Sequence, residues 1–304
     1  MILNVIVPTL NAAKDWPRFA PALLSCIPPE QVLIIDSEST DGTPKLARAA
    51  GFQVRSVSKT QFNHGGTRLM AAKMLPAAEI LVYMTQDAVL ASPSALANLV
   101  APFQDPEVGA SCGRQLPRVG AKAIEAHARA FNYPATSEVR SLDSRERLGI
   151  KTVFFSNSLA AYRRSALMQV GGFPTNVILG EDTVVAGRLL LAGYKIAYAA
   201  DACAYHSHSY TRLQEFKRYF DIGVLHSREH WLLDEFGHAT GEGRRFILSE
   251  LRYLREQDAW RIPSALVRAG VKYVGYRLGR AEAWLSLYLK RQLSMHPGFW
   301  VVRP

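Results

Sequence analysis

The chain has 304 residues, of which 48% are hydrophobic and 20% charged, enough apolar content for one large core and too much for a disordered or fibrous protein. A net charge of +10 points to anionic partners, such as phosphate-bearing substrates, anionic lipid or nucleic acid. Nothing in the sequence approaches the roughly 18 consecutive apolar residues of a membrane-crossing helix, and three scattered cysteines, Cys26, Cys112 and Cys203, suggest neither a disulfide framework nor a zinc site and fit a reducing cytoplasm.

In chain order, residues 2–7 form a β-branched run that ends in Pro8-Thr9-Leu10-Asn11, and Val32-Leu33-Ile34-Ile35 forms a second run bounded by Asp36-Ser37. Both predict buried parallel strands; the first lacks the basic flank and the length of a signal peptide. Apolar residues from Trp16 to Ile27 recur at helical spacing, and so do those from Thr43 to Ala50, with Asp41 as N-cap. A strand over 52–57, a helix over 67–75 and a strand over Ile80–Met84 ending in Thr85-Gln86-Asp87 continue the βαβ alternation of a parallel sheet. In such sheets ligands bind beyond the carboxyl ends of the strands, so Pro8-Thr9, Asp36 and Asp87 are expected to converge on one cleft.

Farther on, the pattern predicts a helix over 92–103 and a strand over 108–112, then a polar, charged stretch over 117–150 that looks like an insertion without assignable elements. It resumes with a strand over 153–162, a helix over 165–170, and a helix from Gly180-Glu181-Asp182 to Ala192, stopped by Gly193. A strand over 195–199 follows. From Thr211 to Phe236 the chain is helical and aromatic, a Gly-rich break covers 237–243, and further helices lead to the end.

Several side chains carry chemistry. Asp36, at a strand end, can accept a hydrogen bond from a nucleobase imide, or cap a turn. Asp87 is suited to a divalent cation, with His206 or His208 as an imidazole partner or as structural histidines; Mn²⁺ tolerates such mixed ligands, whereas Mg²⁺ prefers oxygens. Glu181 and Asp182 open a helix, where one can cap while the other acts as a general base on an acceptor hydroxyl. Asn63-His64-Gly65-Gly66-Thr67-Arg68 places two glycines and Thr67 as a cap before a helix, able to present backbone N–H groups and Arg68 to phosphate, or simply to make a tight loop. Walker A and GxGxxG spacings are absent, which disfavours kinase, GTPase and dinucleotide readings.

In order and spacing, Val7-Pro8-Thr9-Leu10-Asn11, Ile35-Asp36-Ser37-Glu38-Ser39-Thr40-Asp41-Gly42-Thr43, Thr85-Gln86-Asp87-Ala88 and Gly180-Glu181-Asp182 resemble the motifs of family 2 inverting glycosyltransferases. Phe62 to Arg68 together with Thr-Gln-Asp-Ala looks like the bacterial rhamnosyltransferase branch. The resemblance implies a GT-A fold, an α/β, Rossmann-like and mostly parallel sheet flanked by helices, over residues 1–210; residues 211–304 read, from their own pattern, as a helical, basic extension. It implies a dTDP- or UDP-linked sugar donor, Mn²⁺ or Mg²⁺, and inversion at the anomeric carbon. Donor contacts then fall to Pro8, Thr9, Asn11, Asp36, His64, Gly65, Arg68, Gln86 and Asp87, metal contacts to Asp87 and His206, the base to Asp182 or Glu181, and acceptor contacts to Asn157 and Glu181. Two departures from the family pattern are Asp36-Ser37 in place of Asp-Asp and a DxD motif reduced to Asp87.

Residues 263–304 hold seven Lys or Arg (Arg268, Lys272, Arg277, Arg280, Lys290, Arg291, Arg303) against Glu282 alone, interleaved with aliphatic and aromatic side chains. Either this tail lies on an anionic membrane, from the cytoplasmic side, or its apolar face packs on the catalytic domain. A saccharide or lipid-pyrophosphate acceptor fits the first reading. UDP-hexose and GDP-mannose remain alternative donors, and nucleic acid is disfavoured because no recognition motif accompanies the charge.

Overall fold

The computed structural model describes residues 1–238 and 241–300; Arg303 of the basic tail and residues 239–240 of the Gly-rich break fall outside it. The amino-terminal part alternates β1 (Leu3–Thr9), α1 (Trp16–Leu24), β2 (Val32–Asp36), α2 (Thr43–Ala49), β3 (Gln53–Ser56), α3 (His64–Met74) and β4 (Ile80–Met84). There follow β5 (Val89–Leu90), α4 (Ala95–Val100), β6 (Val108–Leu116), α5 (Ala123–Asn132), β7 (Glu138–Arg140), α6 (Arg145–Leu148), β8 (Leu159–Arg163), α7 (Arg164–Gln169), α8 (Glu181–Leu191) and β9 (Lys195–Tyr205). Helices α9 (Arg212–Arg228), α10 (Trp231–Phe236), α11 (Glu242–Gln257), α12 (Ile262–Arg280) and α13 (Leu287–Leu293) complete the described chain.

Both faces of the sheet are covered, which explains why its strands read as unbroken apolar runs. Val5, Val7, Ile34, Val82 and Met84 face a core shared with α1 and α4. Ile6, Ile35, Leu81 and Tyr83 face a second core with α3, α8 and α9, where Tyr83, Tyr162 and Phe173 meet edge to face.

The strand order is β3-β2-β1-β4-β8-β6-β9-β5, with β7 alongside β9. β1 to β4 are parallel as expected, but β8 runs antiparallel to both β4 and β6, so the sheet is mixed. The reversal matters for the site: the carboxyl ends of β1, β2, β4, β6 and β9 share one edge, and β8 brings its amino end, led by Asn157, to that same edge.

Several expectations change; β6 and β9 run past the ends expected for them, to Leu116 and Tyr205. Residues 117–150 are built into the fold, since β7 pairs with β9 and α5 packs on α11. The strand expected over 153–162 is confined to β8, because residues 149–153 form a 3₁₀ turn and 154–158 a loop. In addition, α3 begins at His64: Asn63, not Thr67, is its cap, accepting from Gly66 N at 2.8 Å.

The tail packs through its small residues. A Cβ on Gly279 would stand 2.0 Å from Phe220 O, and one on Gly275 2.5 Å from Phe216 O, so α12 lies backbone to backbone on α9. Leu266, Val267, Tyr273 and Val274 are consequently turned outward, followed by exposed Trp284 and Tyr288. The reading in which the whole apolar face packs inward is thus corrected for this stripe, while Leu278 and Leu285 do join the core. No helix among the described residues is long and apolar enough to cross a membrane.

Candidate active site

Two adjoining cavities lie along the shared edge. The first, of about 580 Å³, is lined by Pro8, Thr9, Leu10, Ser37, Lys59 and Gln86 among others; the second, of about 450 Å³, holds Asn157, Glu181 and Asp182. His64, Arg68 and Thr85 line both.

In the first cavity, Gln86 clamps the ends of β1 and β4, accepting from Leu10 N at 2.7 Å and donating to Leu10 O at 3.0 Å. Asp36 is only 1% exposed: Oδ1 accepts from Thr9 Oγ1 and Ser39 Oγ, and Oδ2 accepts from Ser39 N. It therefore stands behind the wall formed by Thr9 and Ser37, with lone pairs left for one further donor. Asn11 ties the loops rather than lining the cavity; it sits at φ 51° and accepts from Thr40 N at 2.9 Å. Asp41, expected as an N-cap, holds the start of α2 one residue earlier, accepting from Thr43 N and from Ala13 N.

At the boundary of the two cavities the phosphate reading of Gly65 and Arg68 changes. A Cβ on Gly65 would stand 1.8 Å from Pro174 O, so this glycine serves the close approach of α3 to the 173–175 turn. Arg68 is buried, and its Nη1 reaches Glu181 Oε1 at 3.0 Å and His64 O at 3.1 Å. It serves a carboxylate 113 residues away. His64 is held below its ordinary pKa by burial first and then by the charges of Arg68 and Arg218, against the pull of Glu181.

The two acids of α8 are pushed apart. Burial works against ionisation of Glu181, but Arg68, His64 and Asn157 Nδ2 outweigh it and its carboxyl lies below the usual value. Asp182 is raised to about 6 by burial and by the neighbouring Glu181 charge, opposed by hydrogen bonds from Asn157 N and Thr183 N at 2.9 and 2.8 Å. Of the two, Glu181 is a fixed, neutralised anion, and Asp182 has the proton affinity of a general base near neutral pH. Asn157 bridges both and is itself oriented by Tyr162 Oη, which donates to its Oδ1 at 2.8 Å.

Beyond the end of β4, Asp87 Oδ1 lies 3.4 Å from His206 Nε2, and Oδ2 lies 3.8 Å from His208 Nε2. The three side chains can direct their ligand atoms at one point, all within 4.8 Å of one another. Gln115 Oε1 already accepts from Arg129, so the 2.9 Å contact from His206 Nδ1 is an N–H donation, which leaves the Nε2 lone pair facing Asp87. Burial works to raise Asp87, but when the two rings are protonated the hydrogen bond from His206 and the charges of His206 and His208 prevail, and the carboxyl lies far below its usual range. His208 is lowered to about 4 by burial and then by His206. An anionic carboxylate with two imidazoles suits Mn²⁺ better than Mg²⁺.

The sequence reading missed Gln115, which orients His206, and Arg218, which lines the Asp182 cavity. Extending β6 past Cys112 would have brought Gln115 to the functional edge; the polar Arg114-Gln115 pair and a bulge between Gly113 and Arg114 concealed it.

A mixed α/β sheet with a nucleotide-sized cleft, a carboxylate-imidazole cluster and a raised carboxylate at a helix start defines a transferase of the GT-A type, and the chain belongs to glycosyl transferase family 2, whose model matches residues 4–171. It is 44% identical to the O-antigen chain rhamnosyltransferase RfbN of Salmonella typhimurium, over 99% of this chain and 96% of that one. It is 43% identical to the O-antigen chain rhamnosyltransferase WbaN of Salmonella anatum, over 98% and 95%. In structure it is similar to the mannosyltransferase PcManGT of Pyrobaculum calidifontis, solved with GDP-Man and Mn²⁺, at a TM-score of 0.58 and 21% identity over 98% of this chain and 84% of that one.

Proposed function

We propose that the protein transfers L-rhamnose from dTDP-L-rhamnose, with inversion, to a hydroxyl of a polysaccharide or lipid-linked saccharide. The observation that carries this is the place of Asp182: a carboxylate raised to about 6, lining a sugar-sized cavity that shares a wall with a nucleotide-sized one. The names of the two relatives support rhamnose as the donor sugar.

In this reading Pro8 and Thr9 receive the nucleobase and ribose, with Asp36 behind them orienting Thr9 and offering its remaining lone pair, while Gln86 and His64 shape the path of the diphosphate. Asp182 takes the proton of the acceptor hydroxyl as its oxygen attacks the anomeric carbon, opposite the breaking bond to phosphate. Glu181, Arg68 and Asn157 fix the position of Asp182 and keep its surroundings electrically balanced. Asp87, His206 and His208 would hold Mn²⁺, which when bound offsets the charge left on the departing nucleoside diphosphate. The exposed stripe of α12 and α13 with its Arg and Lys side chains supports a peripheral position on the cytoplasmic face of a membrane.

A thermal-shift titration with dTDP, UDP and GDP, each with and without Mn²⁺, tests the reading, because a ligand that binds the native state raises its melting temperature. Selective, Mn²⁺-enhanced stabilisation by dTDP is expected. A preference for UDP or GDP redirects the donor to a UDP-hexose or GDP-mannose, and indifference to all three rejects a nucleotide-sugar transferase.

A further inference from the structure

Part of the wall of the Asp182 cavity comes from the far end of the described chain. Residues 294–300, which follow α13, are fastened to α9 at both ends. At the near end Met295 N donates to Asp221 Oδ2 at 2.9 Å, and Ser294 and Asp221 are both buried. At the far end Trp300 is buried beside Phe220, with Arg228 and Lys290 over its ring at 4.9 and 5.3 Å. Between the two fastenings His296 N donates to Ser294 Oγ at 2.8 Å, and Pro297 restricts the backbone of the residue before it. His296 is thereby held in one place.

Its imidazole lines the Asp182 cavity and not the adjoining one, and it meets the ring of His64 edge to face, with centroids 5.5 Å apart. Neither ring nitrogen of His296 has a hydrogen-bond partner among the described residues, whereas Asn157, Glu181 and Asp182 in the same cavity are engaged with one another or with backbone. Burial first, and then His64 and Arg218, lower its pKa to about 4 against the pull of Glu181. The ring is therefore neutral near pH 7 and offers one N–H and one lone pair, the two functions a sugar hydroxyl can answer.

The place of His296 relative to His64 indicates which sugar. His64 lines both cavities, so its ring marks the passage between them. A donor whose nucleotide sits among Pro8, Thr9 and Gln86 reaches Asp182 only through that passage, and the first group beyond it is the sugar to be transferred. The acceptor attacks from the side opposite the diphosphate and so lies farther from His64.

We propose that His296 reads the sugar being transferred, hydrogen-bonding its hydroxyls from a segment that α9 holds in place, and is a specificity-determining residue for the donor. The proposal rests on the transferase reading above. His296 lies outside residues 4–171, which the family model matches, so the helical extension contributes to the choice of sugar and not only to attachment. A site built to hydrogen-bond a hydroxyl discriminates strongly against sugars that lack it there.

The test is calorimetric, on the full chain with Mn²⁺ and no acceptor, with dTDP and dTDP-L-rhamnose as probes. The ratio of the two affinities isolates the sugar. His296→Phe keeps an aromatic ring against His64 and removes both polar nitrogens; His296→Gln gives back a donor and an acceptor. In His296→Phe the preference for dTDP-L-rhamnose should fall about fivefold, as one or two hydrogen bonds are lost, while affinity for dTDP changes less than about twofold. His296→Gln should restore much of the preference; no recovery would make the loss one of shape and remove the hydrogen-bonding role. An unchanged ratio in His296→Phe overturns the proposal, as does an equal loss for both probes, which would assign the residue to the nucleotide site or to the fold. If the wild type binds neither probe, the dTDP-sugar reading itself fails, and the proposal with it.

Discussion

Asp182 and Glu181 are neighbours in sequence whose carboxyls are shifted in opposite directions, and the difference is one of partners. Glu181 is paired with Arg68, whereas Asp182 accepts from backbone N–H groups beside the Glu181 charge and feels Arg68 more weakly. Asp182→Asn keeps the shape and removes the base; transfer is expected to fall about 10²- to 10⁴-fold while dTDP with Mn²⁺ still binds, so turnover and thermal shift measured together check it. The pH profile follows from the same pair. The reactive form of Asp182 is the ionised one, so kcat should rise through about pH 6 as the proton leaves and flatten above. Glu181→Gln removes the nearby negative charge and leaves Arg68 unpaired. Both changes favour ionised Asp182, and the rising limb should move to lower pH; a limb that stays in place, or moves up, assigns it to another group.

At the scale of elements, α12 is held to α9 by absence of side chains. Gly279→Ala would force a methyl onto Phe220 O, an overpacking expected to cost about 1–3 kcal/mol in denaturant unfolding. Gly270→Ala, in the same helix but with open space at its Cβ, should be neutral or stabilising by up to about 1 kcal/mol. These elements also show what a sequence reveals. β1, β2 and β4 were legible because burial on both faces demands unbroken runs such as Val5-Ile6-Val7, and because the polar residues that end them mark the functional edge. The start of α3 was missed because two glycines disguise its first turn, although Asn63 was the available signal. The antiparallel β8, the backbone contact between α12 and α9, and the Arg68–Glu181 pair depend on partners far apart in the chain, and no local pattern carries them.

For the whole molecule, the arrangement is directional. The cavity at the ends of β1 and β4 and the Asp182 cavity adjoin along the carboxyl edge of the sheet, and α12 carries an exposed stripe that continues into Trp284, Leu287, Tyr288 and Leu289. Aromatic side chains that are apolar at one end and polar at the other, set among Arg277 and Arg291, have the composition of a surface that settles into lipid headgroups. If that is its role, the full chain should co-float with vesicles containing phosphatidylglycerol and phosphatidylcholine, bind neutral vesicles less, and be released as salt rises, since exposed charges are screened over about 10 Å at 0.1 M. Arg277→Gln with Arg291→Gln should weaken binding to the anionic vesicles about thirty-fold, from about 1 kcal/mol for each charge. Trp284→Ser should weaken binding to both kinds of vesicle, since it removes apolar contact and no charge. Loss with the arginines but none with Trp284 would indicate a purely electrostatic encounter, and binding unaffected by either change would place the membrane elsewhere on the molecule.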